Sequence, residues 1–293
     1  MSAVLETGAE AEAAAGAPAA RGRACANCGG PLLGPYCHAC GEKSVEGRDL
    51  SLRHFAAEAA QELTSVERSK LFRTARALLF SPGLLSAEYF SGRRGRYLKP
   101  LNLCLVVFAL SLFFYSAYKP VSMYDLERYI ALDETGNITT LVDRWAERKG
   151  LPRGVLVEKI SDKWHGFMSL FQPLNVLLLA LILQAVFLFS RRYFVEHLVF
   201  AMHFLAFTVL TVVLLFPVYL LTGINPSPAT KALAVFKWSV DFAYIFFALR
   251  AFYGHRTAVA LPLSLVLLGG YFVSYLAVYM GALLAAMVSA GKM

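Results

Sequence analysis

Four cysteines near the N-terminus carry the strongest chemical signal in this 293-residue chain. They form two pairs, Cys25-x2-Cys28 and Cys37-x2-Cys40, eight residues apart, with Gly29 and Gly41 directly after each pair. Each Cys-x-x-Cys can make a tight turn that aims two thiolates at one point. The glycine lets the chain turn on without a Cβ clash. The stretch from Gly30 to Tyr36 is long enough for a small hairpin that joins the two turns. Four thiolates in a tetrahedron suit Zn²⁺, with Zn–S near ~2.3 Å. Iron of the rubredoxin kind takes the same donors, and a pair of disulfides is the third alternative. His38 is a bystander, because four thiolates already complete the shell. A closed shell makes the ion structural, and its binding supplies the folding energy of a module with almost no core. The expectation is a zinc-ribbon module over residues 25–48.

The elements that must carry this module are built for lipid. Hydrophobic residues make up 57% of the chain and the mean hydropathy is +0.54, too apolar for a water-soluble globule. Pro100–Tyr118 is uncharged, and as a helix it measures about 30 Å, the thickness of the hydrocarbon core. Further apolar stretches lie near 170–189, 198–221, 231–252 and 262–289. The fold class expected is an all-α membrane protein. Five transmembrane helices make up a membrane domain over 100–293, and a polar loop over 119–166 holds eight basic and eight acidic residues. Within that loop Thr140–Lys149 and Val155–Trp164 read as short helices. The long fifth stretch reads as one tilted or bent helix, with the bend at Gly269-Gly270. Its Gly281, Ala285 and Ser289 are small residues four apart that would admit a neighbouring helix.

Between the cysteines and the first span lies a helical neck, 49–99. Leu52, Phe55, Ala56, Ala59 and Leu63 follow helical spacing, as do Leu71, Ala75, Leu78 and Leu79 opposite Arg68, Arg73 and Arg76. Such helices either pack on one another or lie on the membrane surface with arginine at the headgroups. Ser81-Pro82-Gly83 is a break and Leu84–Phe90 a short helix. Residues 1–24 read as a disordered tail; they lack a basic stretch followed by an apolar core, so no secretory signal is expected there.

Residues 25–100 resemble a family of bacterial membrane proteins known only as a domain of unknown function (number 3667). The features shared are the double Cys-x-x-Cys module, Phe72-Arg73-Thr74, Leu78-Leu79, Pro82-Gly83, Tyr89, Gly92, Arg94, Tyr97, Pro100 and several spans behind them. The resemblance implies a class and a location at the bacterial inner (plasma) membrane; it implies no activity.

Charge predicts the orientation. Residues 21–99 hold thirteen Lys/Arg against seven Asp/Glu, and Arg93, Arg94, Arg96 and Lys99 sit directly before the first span as a membrane-surface site for anionic phospholipid headgroups. Nucleic acid is the lesser alternative for such a charge. With the N-terminus cytoplasmic, Arg191-Arg192 and Arg250, His255 and Arg256 also fall inside, and the uncharged 222–230 loop outside. Five spans then leave the C-terminus extracytoplasmic.

Inside the membrane, Asp241 stands out, because a carboxylate there costs about 2.5–3.5 kcal/mol even on mild scales. Lys237 lies one turn before it, so an intrahelical pair is the ordinary reading and an ion- or proton-coupled site the sharper one. By rise per residue Asp241 is level with Thr208 and Thr211. His203 completes the intramembrane polar set, as a helix-contact residue in the plainer reading. Asn175 and Gln184 suit interhelical hydrogen bonds, and Cys104 acts as a small apolar group. No GxSxG, HExxH, P-loop or GxGxxG occurs. Asp133-Glu134 reads as a solvated pair, and Trp164 and His165 as anchors at the outer interface.

Three functions follow. The first is a cytosolic zinc module that docks a protein partner or regulates the bundle. The second is a small transporter or channel using Asp241, in which a homo-oligomer is one arrangement. The third is a lipid-directed enzyme using His203 or His165.

Overall fold

The computed structural model of the chain describes residues 24–32, 34–40, 68–117, 124–222 and 227–291. The expected tail (save Ala24), the first neck helix over 52–63 and Gly41 lie outside the described residues. Near the cysteines, Ala24 and Pro31 form an isolated antiparallel bridge. The other described elements are helical: α1 Arg68–Phe80, α2 Leu84–Phe90, a 3₁₀ turn Arg94–Arg96, α3 Pro100–Ala117, α4 Leu126–Ala131, α5 Asn137–Lys149, α6 Arg153–Val186, α7 Phe194–Thr222, α8 Pro228–Phe252 and α9 Thr257–Gly291. Five of these, α3, α6, α7, α8 and α9, are long and apolar enough to cross a membrane. The architecture is therefore an all-α, five-span bundle.

Cross-helix contacts fix the directions. Cys104 meets Met202 and Phe114 meets Phe216, so α3 and α7 run parallel. Phe204 meets Tyr244 and Phe200 meets Phe252, so α7 and α8 run antiparallel. One end of the bundle thus carries α1 and α2, and the other carries α4 and α5. The apolar spacing of α3 buries Leu103, Cys104, Val107 and Ser111 against α7. Cys104 behaves as the small group expected: its thiol donates to the Met202 carbonyl at 3.4 Å.

The described part of the polar segment, 124–166, is more ordered than a loop. The expected helix over Val155–Trp164 does not stop; it continues into the second span as the 34-residue α6. That helix is about 51 Å long, some 20 Å more than the hydrocarbon core. The polarity changes near residue 168, but nothing there breaks a helix: Gly166 sits in open space and the residues around it keep helical spacing. α9, at 35 residues, overshoots in the same way. The two overshooting ends and α4 and α5 enclose a second apolar core around Leu156, Ile160, Trp164, Val278 and Ala282. We term this the lobe. Trp164 is 1% exposed there, ringed by Tyr124, Tyr129 and Tyr279, so it is a core residue rather than an interfacial anchor. Asp133 is a cap: its carboxylate accepts from Ile138 N at 2.6 Å and Thr135 Oγ1 at 2.5 Å, and the Thr135 hydroxyl holds its pKa below the usual range.

α6 and α9 pack antiparallel along their length, held by Ser274 Oγ donating to Asn175 Oδ1 at 2.6 Å and Lys163 Nζ to Ser289 Oγ at 2.8 Å. The Asn175 expectation is met. The stripe that admits α6 is Ala282, Ala286 and Ala290, each at most 2% exposed, one residue along from Gly281, Ala285 and Ser289. Gly269-Gly270 does not interrupt the helix. Gly270 is instead a close approach: a Cβ there would meet Ile182 Cγ2 at 2.8 Å.

At the opposite end, α2 wedges between α7 and α8. Gly83 begins it with φ +82°, and a Cβ would lie 2.9 Å from Ala248 Cα and O. Gly83→Ala should therefore combine left-handed strain with a backbone clash. We expect a loss of about 1–3 kcal/mol, read as a lower melting temperature in detergent. Gly269→Ala, with open space at its Cβ position, should be neutral or gain up to about 1 kcal/mol.

Candidate functional site

The cysteines converge. Cys25 Sγ lies 3.6 Å from Cys40 Sγ, and Cys28 Sγ lies 3.5 Å from Cys37 Sγ. All four sulfurs fall within 4.8 Å of one another. A tetrahedral ion with ligands at about 2.3 Å needs sulfurs roughly 3.8 Å apart, and a disulfide needs about 2.05 Å, so the spacing is that of ligands around an ion. The first turn is made by Gly29 N donating to Cys25 O at 2.8 Å and Cys25 N donating to Gly30 O at 2.7 Å. Gly29 takes φ +77°, the conformation for which glycine was expected. Cys25 and Cys37 are buried and Cys28 and Cys40 exposed. Crowding the thiols makes ionisation harder. The Gly30 backbone contact lowers the Cys28 pKa, but the Cys40 and Cys37 thiols outweigh it, and the group is pushed up to about 12. A metal ion bound here must displace those protons, so its affinity falls as pH falls.

The basic neck divides by role. Arg94 is 7% exposed; its Nε donates to Tyr89 O at 3.1 Å and its guanidinium lies 4.3 Å from the Tyr89 ring centre. Arg93 pairs with Glu88 at 2.5 Å, whose carboxylate raises the arginine's pKa. Arg96 is exposed and Lys99 half-buried. Thr74, fully buried, donates to Lys70 O at 2.7 Å and accepts from Leu98 N at 2.9 Å. Thr74, Gly83, Tyr89 and Arg94 thus brace α1 and α2 against the start of α3.

Residues 68–114 match the DUF3667 family, described as a protein of unknown function. No curated protein and no solved structure matches the chain. The DUF3667 segment is therefore α1, α2 and most of α3, the part that joins the N-terminal region to the bundle.

Within the membrane, Lys237 Nζ donates to Asp241 Oδ2 at 2.5 Å, with both residues buried. Thr208 Oγ1 lies 3.5 Å from Asp241 Oδ1, and Thr211 turns to the Thr208 carbonyl. His203 stands apart: its Nδ1 is 2.8 Å from Ser86 Oγ of α2. Both groups are buried, which makes the contact a helix tie rather than a nucleophile–base pair open to substrate.

The pair lines a cavity of about 340 Å³ between α6, α7, α8 and α9 that reaches Tyr124 and Arg128 in the lobe. Sequence reasoning missed Arg128 and Gln172, which also line it. One of eight basic residues in a neutral polar segment carries no mark of its own. Only the continuity of α6 into that segment brings it over the bundle.

Removing one partner of the buried pair should cost about 3–5 kcal/mol, because the other charge is left uncompensated in hydrocarbon. Lys237→Met and Asp241→Leu are each expected to lower thermal stability in detergent, and the double variant to recover most of the loss. Full additivity of the two single losses would show that the pair is not coupled.

Proposed function

We propose that the four cysteines hold a structural Zn²⁺ in a small cytosolic module, and that this module docks a protein partner or regulates the bundle through the DUF3667 segment. The observation that carries the reading is the cluster of four sulfurs within 4.8 Å. An all-thiolate shell has no open position for chemistry, which favours a structural ion. The reducing cytosol keeps such thiols available, and the basic neck favours the same side by the positive-inside rule. Arg96 and Lys99 meet anionic headgroups of the plasma membrane. α1 fits that surface too, since Phe72 and Phe80 are 74% and 78% exposed beside the exposed Arg73 and Arg76.

Metal analysis of the full chain purified in detergent tests this. One equivalent of zinc per chain is expected at neutral pH. It should be lost in Cys25→Ser/Cys28→Ser and released progressively on acidification, with the bundle still membrane-integrated. Metal-free wild-type protein, or zinc retained by the double variant, would overturn it.

A second reading comes from the cavity. An ion pair that lines a cavity inside a helix bundle suits a carrier of a small polar solute or proton. It predicts that Asp241→Asn abolishes flux in proteoliposomes.

A further inference from the structure

Arg128 is held over the cavity by contacts on either side of it. Leu126 N donates to Ser161 Oγ of α6 at 3.0 Å, and the Tyr129 hydroxyl is hydrogen-bonded to that of Tyr279 on α9. α4 therefore cannot swing away without breaking ties to both long helices. The Nε of Arg128 is fully buried and makes no hydrogen bond. Arg128 takes part in none of the ion pairs seen among the described residues. A buried donor left unmet costs about 1–3 kcal/mol, and a guanidinium presents its donors as a rigid fork that matches a carboxylate or phosphate.

Below Arg128 the lining is mainly apolar, with Val209, Val212 and Phe216 of α7, Trp238 and Ala234 of α8 and Val278 of α9. At the far end Lys237 and Asp241 neutralise each other, so Arg128 leaves the lining one positive charge in excess. The shaft is roughly 10 Å deep, the rise from Tyr271 to Val278 along its wall on α9. A volume of about 340 Å³ lies at the small end of ligand cavities. It suits a single medium-length chain and is too small for the two tails of a phospholipid.

We infer that this cavity binds a single-chain amphiphilic anion, its carboxylate or phosphate head on Arg128 and its apolar body in the shaft toward Trp238. Binding is all that is claimed; it holds whether or not the cavity carries solute across the membrane, and it does not depend on the metal module.

Equilibrium binding of radiolabelled decanoate to the full chain in nanodiscs of zwitterionic lipid tests the assignment, with decanol as uncharged competitor. Wild type should bind decanoate saturably and at least tenfold more tightly than decanol. Arg128→Gln should abolish that preference while leaving decanol binding within about twofold, and Arg128→Lys should fall between. Ala234→Trp should remove both ligands by filling the shaft. Arg148→Gln, an exposed lobe charge, should change nothing. Equal binding of decanoate and decanol to wild type would overturn the inference, as would unchanged decanoate affinity in Arg128→Gln. Displacement of decanoate by inorganic phosphate at equal concentration would overturn the amphiphile and reassign the site to a free anion. An Ala234→Trp protein that melts like wild type and still binds decanoate would exclude the shaft.

Discussion

Close antiparallel contact between α6 and α9 is what the rest of the molecule depends on. Lipid tails are as apolar as leucine, so two helices in a bilayer gain little from burying apolar surface against each other. Association comes from tight packing and from hydrogen bonds across the interface. This pair has both, in the fit of Gly270 against Ile182 and of the alanines at 282, 286 and 290, and in the Ser274–Asn175 bond. Because both helices overshoot the hydrocarbon at the same end, the contact also provides the floor on which α4 and α5 fold. The cavity and the position of Arg128 follow from that floor.

Most of the polar groups inside the bundle are answered nearby. Asp241 is answered by Lys237, His203 by Ser86 and Asn175 by Ser274. Outside the hydrocarbon, Arg94 is answered by the Tyr89 carbonyl and ring. Among the described residues Nε of Arg128 lacks such an answer, as do Asn102 Oδ1, Trp164 Nε1 and His197 Nε2, but of these four residues it is Arg128 that lines the cavity. That combination is the ground on which the cavity is assigned a ligand.

Much of this was legible in the chain. Two Cys-x-x-Cys pairs imply convergent sulfurs whatever the surroundings, since the turn geometry is local. Apolar length gives five spans because the bilayer sets a fixed measure. The Lys237–Asp241 pair follows from one helical turn of separation, and its level with Thr208 from rise per residue. Legibility ended where tertiary context decided. A change from charged to apolar residues near 168 looks like a boundary, but helical hydrogen bonding has no regard for polarity, and α6 runs through it. Small residues four apart are easy to find on α9, yet which of two adjacent stripes faces a neighbour depends on helix rotation. Trp164 is amphipathic enough for an interface; only the fold of α4 over it makes it a core residue.

The wedge of α2 has a bearing on how the chain assembles. Ser86 and its partner His203 are 117 residues apart in sequence. At about 5–20 residues per second of synthesis, the DUF3667 segment emerges roughly 6–23 seconds before the helix that receives it. Through that interval Ser86, Gly83 and the apolar side of α2 have no native seat. The seat of α2 is complete only when the third and fourth spans, α7 and α8, have both been made.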